Sequence, residues 1–145
     1  MTAEKQERIF LVDDEQINLR VLQALLTTAG YTNLEMISDA RKVAPAHKHN
    51  RADLVLLDLT MPDIDGFEVI EQLNALEEIQ PPAILVLTGH ADEETMDQAY
   101  RTGANGYITK PITAPELLAA VRNALDSQAG PAGADNSVDD KQQVP

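Results

Sequence analysis

The sequence predicts a doubly wound α/β sandwich, a parallel sheet with helices packed on both faces. Three observations predict it. Five short runs of strand character alternate with stretches of helical period in strict βα order. Three of those runs, Ile9-Phe10-Leu11-Val12, Leu54-Val55-Leu56-Leu57 and Ala83-Ile84-Leu85-Val86-Leu87, are apolar at every position, the pattern of parallel strands covered on both sides. The length of 145 residues fits one domain and a tail, enough chain to bury a core without disulfides or metal staples.

The elements follow in order. The second strand, Leu34-Glu35-Met36-Ile37, and the fifth, Gly106-Tyr107-Ile108-Thr109, are more polar, as expected nearer a sheet edge. In the first helix Ile17, Val21, Leu22, Leu25 and Leu26 repeat at three and four, and Gly30 stands where a helix ends. The second helix, about residues 39–49, holds Pro45, which should shorten or kink it. The third opens on Asp65-Gly66-Phe67-Glu68, a cap with a carboxylate three residues on, and buries Phe67, Ile70, Leu73 and Leu76. The fourth starts at Ala91, stops at Thr102 and meets Gly103; the fifth opens on the capping box Thr113-Ala114-Pro115-Glu116 and buries Leu117, Leu118, Val121 and Leu125. Residues 1–7 read as a flexible N-terminus and 8–126 as the domain. Residues 127–145, with Gly130-Pro131-Ala132-Gly133 and almost no large apolar side chain, read as a disordered tail or linker.

Composition narrows the function. A formal charge of −13 repels phosphate backbones, so direct nucleic-acid binding is not expected. No run of about 20 apolar residues predicts a membrane span, and the polar start Met1-Thr2-Ala3-Glu4 has no signal core, so the expected location is the cytoplasm. With no cysteine there is no disulfide, thiolate metal site or cysteine nucleophile. His47, His49 and His90 are too few and too scattered for a histidine cage, so a metal here must be a hard ion held by oxygen.

In doubly wound sheets ligands bind at the carboxyl ends of the strands. The first strand ends in Asp13-Asp14, the third in Asp58, the fourth in Thr88 and the fifth in Lys110-Pro111. Neighbouring strands are about 5 Å apart, so these side chains should converge. Three crowded carboxylates repel one another unless a cation joins them, and Mg²⁺ takes carboxylate, water and phosphoryl oxygens. Lys110 can pair with a phosphoryl oxygen and Thr88 can donate a hydrogen bond to another. One carboxylate is then the nucleophile; Asp58, leaving the most apolar strand, is the best placed. One of Asp13 and Asp14 can also cap the first helix.

Ile9 to Asp14, Leu54 to Gly66, Leu85 to Thr88 and Gly106 to Pro111 resemble, in order and spacing, the receiver domains of two-component response regulators. The resemblance spans roughly residues 8–126 and implies a flavodoxin-like (βα)5 fold with strand order 2-1-3-4-5. It implies that Asp58 accepts a phosphoryl group from a sensor histidine kinase or phosphotransfer protein. It also implies Mg²⁺ on Asp14, Asp58 and the Thr60 backbone carbonyl, with Asp13 assisting through water. Lys110 would bond the phosphoryl group, Thr88 would swing toward it, and Tyr107 would rotate inward behind it. The helix from Ala91 to Thr102, the strand Gly106–Thr109 and the helix from Thr113 to Asp126 would form the face that meets a downstream protein or an effector domain. Thr60, Gly89 and His90 occupy loop positions that tune the lifetime of the phosphoryl group in such domains. Gly89 leaves room the family often fills with Ala or Ser, and Ala40 stands where a glycine is common.

Simpler readings exist. Tyr107 also suits an edge residue, His90 a solvated loop, and Glu77-Glu78 and Asp92-Glu93-Glu94 solvated helix ends. The leading expectation is a signalling domain that catalyses only its own phosphorylation and dephosphorylation, not a turnover enzyme. The alternative is a Mg²⁺-dependent phosphohydrolase with an aspartyl nucleophile. Such enzymes generally need Asp-x-Asp after the first strand, whereas here the acids are adjacent and Asp58-Leu59-Thr60 lacks the second acid.

Overall fold

The computed structural model describes residues 6–59, 65–77, 79–89 and 92–129. Five strands, β1 (Ile9–Val12), β2 (Leu34–Ile37), β3 (Leu54–Asp58), β4 (Ala83–Thr88) and β5 (Gly106–Thr109), form one parallel sheet in the order β2-β1-β3-β4-β5. The all-apolar strands are the three central ones and the two more polar strands are the edges, as their sequences predict.

Period-two alternation explains the all-apolar runs. Phe10, Val12, Val55, Leu57, Ile84 and Val86 enter one core, and Ile9, Leu11, Leu54, Leu56, Leu85 and Leu87 the other. The first core is closed by α2 (Val43–His49), α3 (Gly66–Asn74) and α4 (Glu93–Thr102), through residues such as Val43, Ile70, Leu73 and Ala99. The second is closed by α1 (Gln16–Thr28) and α5 (Ala114–Ala129), through Leu19, Leu22, Leu26, Leu117 and Val121. Each fully buried Leu or Ile contributes roughly 1.5–3 kcal/mol, so both helical layers are held mainly by these stripes.

Helix ends follow the local chemistry. The Asp65 carboxylate accepts from Glu68 N–H at 2.9 Å and that of Asp92 from Thr95 N–H at 2.7 Å. At Thr113 the side-chain oxygen accepts from Glu116 N–H at 3.4 Å, and its hydroxyl donates to Glu116 Oε1 at 3.1 Å, a side-chain bond in place of the return bond to the backbone. Pro45 shortens the second helix in a specific way. A 3₁₀ turn (Ala40–Lys42) precedes α2, so Pro45 falls in its first turn, where its missing N–H removes no intrahelical bond.

Three boundaries differ from the sequence reading. Helix α4 starts at Glu93 behind its Asp92 cap, and α3 stops at Asn74, short of Leu76. Helix α5 runs through Ala129, three residues past the expected domain end at Asp126, because Ser127-Gln128-Ala129 holds no helix breaker and Gly130-Pro131 comes only afterwards. The expectations for residues 1–5 and 130–145 lie outside the described residues. Among the described residues no helix is long and apolar enough to cross a membrane.

Candidate functional site

Strand register builds the site. Val12 pairs with Leu57, so the next residues, Asp13 and Asp58, leave adjacent strands side by side. Asp58 pairs with Leu87 and Thr88 with Thr109, which sets Thr88 and Lys110 one step beyond. A hydrogen bond of 2.8 Å from Lys110 N–H to the Thr88 carbonyl extends the β4–β5 pairing to the lysine, and the Lys110–Pro111 peptide is cis.

Asp13, Asp14 and Asp58 bring one carboxylate oxygen each to within 4.8 Å of one another. Asp13 and Asp58 are buried and Asp14 is exposed, so the cluster opens to solvent on one side. Lys110 Nζ lies 3.5 Å from Asp58 Oδ1 and 3.8 Å from Asp13 Oδ2. Three carboxylates against one ammonium leave residual negative charge in an all-oxygen pocket, which suits a hard divalent cation such as Mg²⁺.

Burial raises the Asp13 carboxyl above its ordinary value, and the charge of Asp58 adds to the rise. Bonds from Glu15 N–H at 3.0 Å and from the Asn18 side chain at 3.1 Å act in the opposite direction, as does Lys110. Neither acid of the Asp13-Asp14 pair caps α1. The cap residue is Glu15, and the bond to Asp13 engages Glu15 N–H, outside the helix.

The structure therefore brings together Asp13, Asp14, Asp58 and Lys110, with Thr88 buried at the end of β4. Leu59 continues β3 through a bond from its N–H to the Leu87 carbonyl. Gly89 opens the flank beside Thr88: a Cβ there would meet nothing within 4 Å. Tyr107 sits on β5 paired with Val86, two positions before the Thr88–Thr109 pair, so Thr88 and Tyr107 share a face of the sheet. It is 41 % exposed and stands edge-on to Tyr100, ring centres 6.2 Å apart. Thr60 and His90 lie outside the described residues, as does Ala91.

Three residues escaped the sequence reading. Asn18 reaches Asp13 only because α1 folds back over the end of β1, and its signal was a polar residue on the first turn after the acid pair. Tyr100 meets Tyr107 only across α4 and β5. His47 is fully buried on α2.

A five-stranded parallel sheet in the order 2-1-3-4-5, with an acid cluster and a lysine at its carboxyl edge, defines a flavodoxin-like fold. Residues 9–122 match the response regulator receiver domain family, and the chain belongs to that family. It is 33% identical over 113 residues to the chemotaxis protein CheY-3 of Vibrio cholerae, a match covering 78% of this chain and 87% of that protein. It is equally 33% identical over 117 residues to the transcriptional regulatory protein ZraR of Escherichia coli, covering 81% of this chain and 26% of that protein. Among solved structures, chemotaxis protein CheY4 of Vibrio cholerae superposes with a TM-score of 0.78 at 26% identity, covering 83% of this chain and 100% of that one. Receiver domains are signalling domains of two-component systems. The match does not favour the phosphohydrolase alternative.

Proposed function

We propose that this chain is a phosphorylation-controlled switch. Asp58 accepts a phosphoryl group from a phosphohistidine on a sensor histidine kinase or phosphotransfer protein, and the altered shape controls a downstream protein or effector domain. The observation that carries this reading is the placement of Asp58, at the end of the central strand, between the Lys110 ammonium at 3.5 Å and the Asp13–Asp14 pair.

An Asp58 carboxylate oxygen attacks phosphorus in line, the phosphorus–nitrogen bond breaks, and the donor imidazole leaves with its electron pair. The product is an acyl phosphate on Asp58. Lys110, already poised at that carboxylate, pairs with a phosphoryl oxygen and costs little reorganisation. Asp14, Asp58 and the Thr60 carbonyl would hold Mg²⁺, with Asp13 assisting through water. When bound, that ion neutralises charge on the phosphoryl oxygens. Thr60, Gly89 and His90 are the sequence positions that would tune the lifetime of the product.

Thr88 carries the change outward. Its hydroxyl turns to the phosphoryl group, and Tyr107, on the same face of the sheet, rotates into the space released. The output face is α4, β5 and α5, where Leu85, Tyr100, Gly106, Tyr107, Ala120 and Asn123 are among the residues lining a groove of about 290 Å³.

Incubation with acetyl phosphate and Mg²⁺ tests the reading by intact mass. Wild type should gain one acid-stable, base-labile phosphoryl group and Asp58→Asn none. Equal labelling of the two would show that Asp58 is not the acceptor.

A further inference from the structure

We infer that Asn18 is a positioning residue for the acid cluster, fixing the Asp13 carboxylate by a neutral donor so that its negative charge stays available to a divalent ion. The inference rests on the Mg²⁺ reading above and adds a residue to it.

Asp13 is 1 % exposed, and a buried carboxylate needs a partner for each oxygen. Oδ1 accepts from Glu15 N–H at 3.0 Å. Oδ2 accepts from Asn18 Nδ2 at 3.1 Å and has Lys110 Nζ only at 3.8 Å, beyond hydrogen-bond length. Lys110 stands closer to Asp58, at 3.5 Å. The amide thus supplies at Oδ2 the contact that the lysine does not.

The type of donor matters. An arginine or lysine at position 18 would satisfy the same oxygen while cancelling the charge that draws a cation, whereas a carboxamide satisfies it and cancels nothing. The same amide bonds Glu15 Oε1 at 3.3 Å, which ties the first turn of α1 to the residue whose N–H holds the other Asp13 oxygen. The ring Asp13–Glu15–Asn18 therefore fixes both oxygens of one carboxylate from one helix start. Asn18 also lines a cavity of about 220 Å³ with Asp13, Lys110, Val21 and Leu22. Val21, in that same wall, makes no polar side-chain contact and serves as the internal control.

Partners that orient metal-binding side chains typically account for tenfold or more in metal affinity. The test is calorimetric Mg²⁺ titration of the full chain as wild type, Asn18→Leu and Val21→Ala, joined to metal-free NMR of the Asn18 side-chain amide. Asn18→Leu keeps the volume and removes the donor. It should bind Mg²⁺ about tenfold more weakly, while Val21→Ala binds as wild type. Without metal, the Asn18 amide protons should be shifted and slow to exchange, and both features should vanish in Asp13→Ala. Equal Mg²⁺ affinity of wild type and Asn18→Leu, equal loss in Val21→Ala, or an Asn18 amide indifferent to Asp13→Ala would each overturn the inference and leave the Asp58 reading intact. Failure of wild type itself to bind Mg²⁺ would overturn the ion reading and the inference together.

Discussion

Lys110 Nζ lies 3.5 Å from Asp58 Oδ1 although their strands are not neighbours: β4 runs between β3 and β5. The lysine side chain spans that strand across its end, and the bond from its own N–H to Thr88 fixes where it starts. The pair is asymmetric, with a buried carboxylate and a partly exposed ammonium. An ammonium placed to meet developing phosphoryl charge acts mainly on the transfer step. Lys110→Met should therefore lower the rate of phosphoryl transfer from a small donor by roughly 10²-fold, the usual loss for one electrostatic stabiliser. Single-turnover labelling of Asp58 measures the rate, and an unchanged rate would remove Lys110 from the site.

The acid cluster costs stability when no cation is present. Burial and the charge of Asp58 raise the Asp13 carboxyl in the folded chain, so the folded state binds protons more readily than the unfolded one. Stability from this group is then present at acid pH and lost as pH rises from 3.8 through the raised folded value. At neutral pH Asp13→Asn should raise the melting temperature in EDTA. Mg²⁺ should reverse the order: at tenfold excess over its dissociation constant a ligand adds about 1.4 kcal/mol to wild type, a rise of a few degrees. Thermal melts with EDTA and with Mg²⁺ check both signs.

Two glycines flank the site with opposite requirements. A Cβ on Gly66 would lie 2.6 Å from Leu59 Cδ2 and 2.9 Å from Leu59 Cα, so the backbone next to Asp58 would have to move. A Cβ on Gly89 would touch nothing within 4 Å. Gly66→Ala should cost about 1–3 kcal/mol by overpacking and should slow Asp58 labelling as well. Gly89→Ala should stay within about 0.5 kcal/mol of wild type. Urea unfolding of both variants separates them; equal midpoints would show that the Leu59 contact yields freely.

Most of this geometry was written in the strand ends. An apolar run buried on both faces cannot alternate, so β1, β3 and β4 announce themselves, and the first polar residue after each marks the rim. Asp13, Asp58 and Thr88 were legible for that reason, and Lys110 by its place before Pro111 at the end of β5. Edge strands carry less signal. Glu35 looks misplaced in β2 until its ion pair with Arg8 is seen. Contacts made by side chains that cross between elements leave no period at all. Asn18 turns back toward the strand that precedes its helix, and Tyr100 meets Tyr107 from a different element. His47 lies on a seven-residue helix too short to display a stripe.

His47 also makes stability depend on pH at a distance from the site. It is fully buried on α2, edge-on to Phe10 with ring centres 6.4 Å apart. Its Nδ1 accepts from Ala52 N–H at 3.0 Å, so the neutral ring carries its proton on Nε2 and donates it to the Gln80 carbonyl at 3.0 Å. One imidazole thus ties α2 to the segments that precede β3 and β4. A second proton would turn Nδ1 into a donor facing a donor. Burial lowers its pKa below the usual 6.5, with a smaller contribution from Arg51, against the opposing influence of the Gln80 carbonyl and Asp53. The unfolded chain therefore binds a proton that the folded chain refuses. This contribution is present above the unfolded value and is lost as pH falls from 6.5 through the lowered folded value. His47→Phe should destabilise at neutral pH by about 1–3 kcal/mol, because the buried Ala52 N–H and the partly buried Gln80 carbonyl lose their partner. It should also flatten the dependence of the urea midpoint below pH 6.5. Midpoints of wild type and variant measured on both sides of that value decide the matter: parallel slopes would assign the acid sensitivity to other groups.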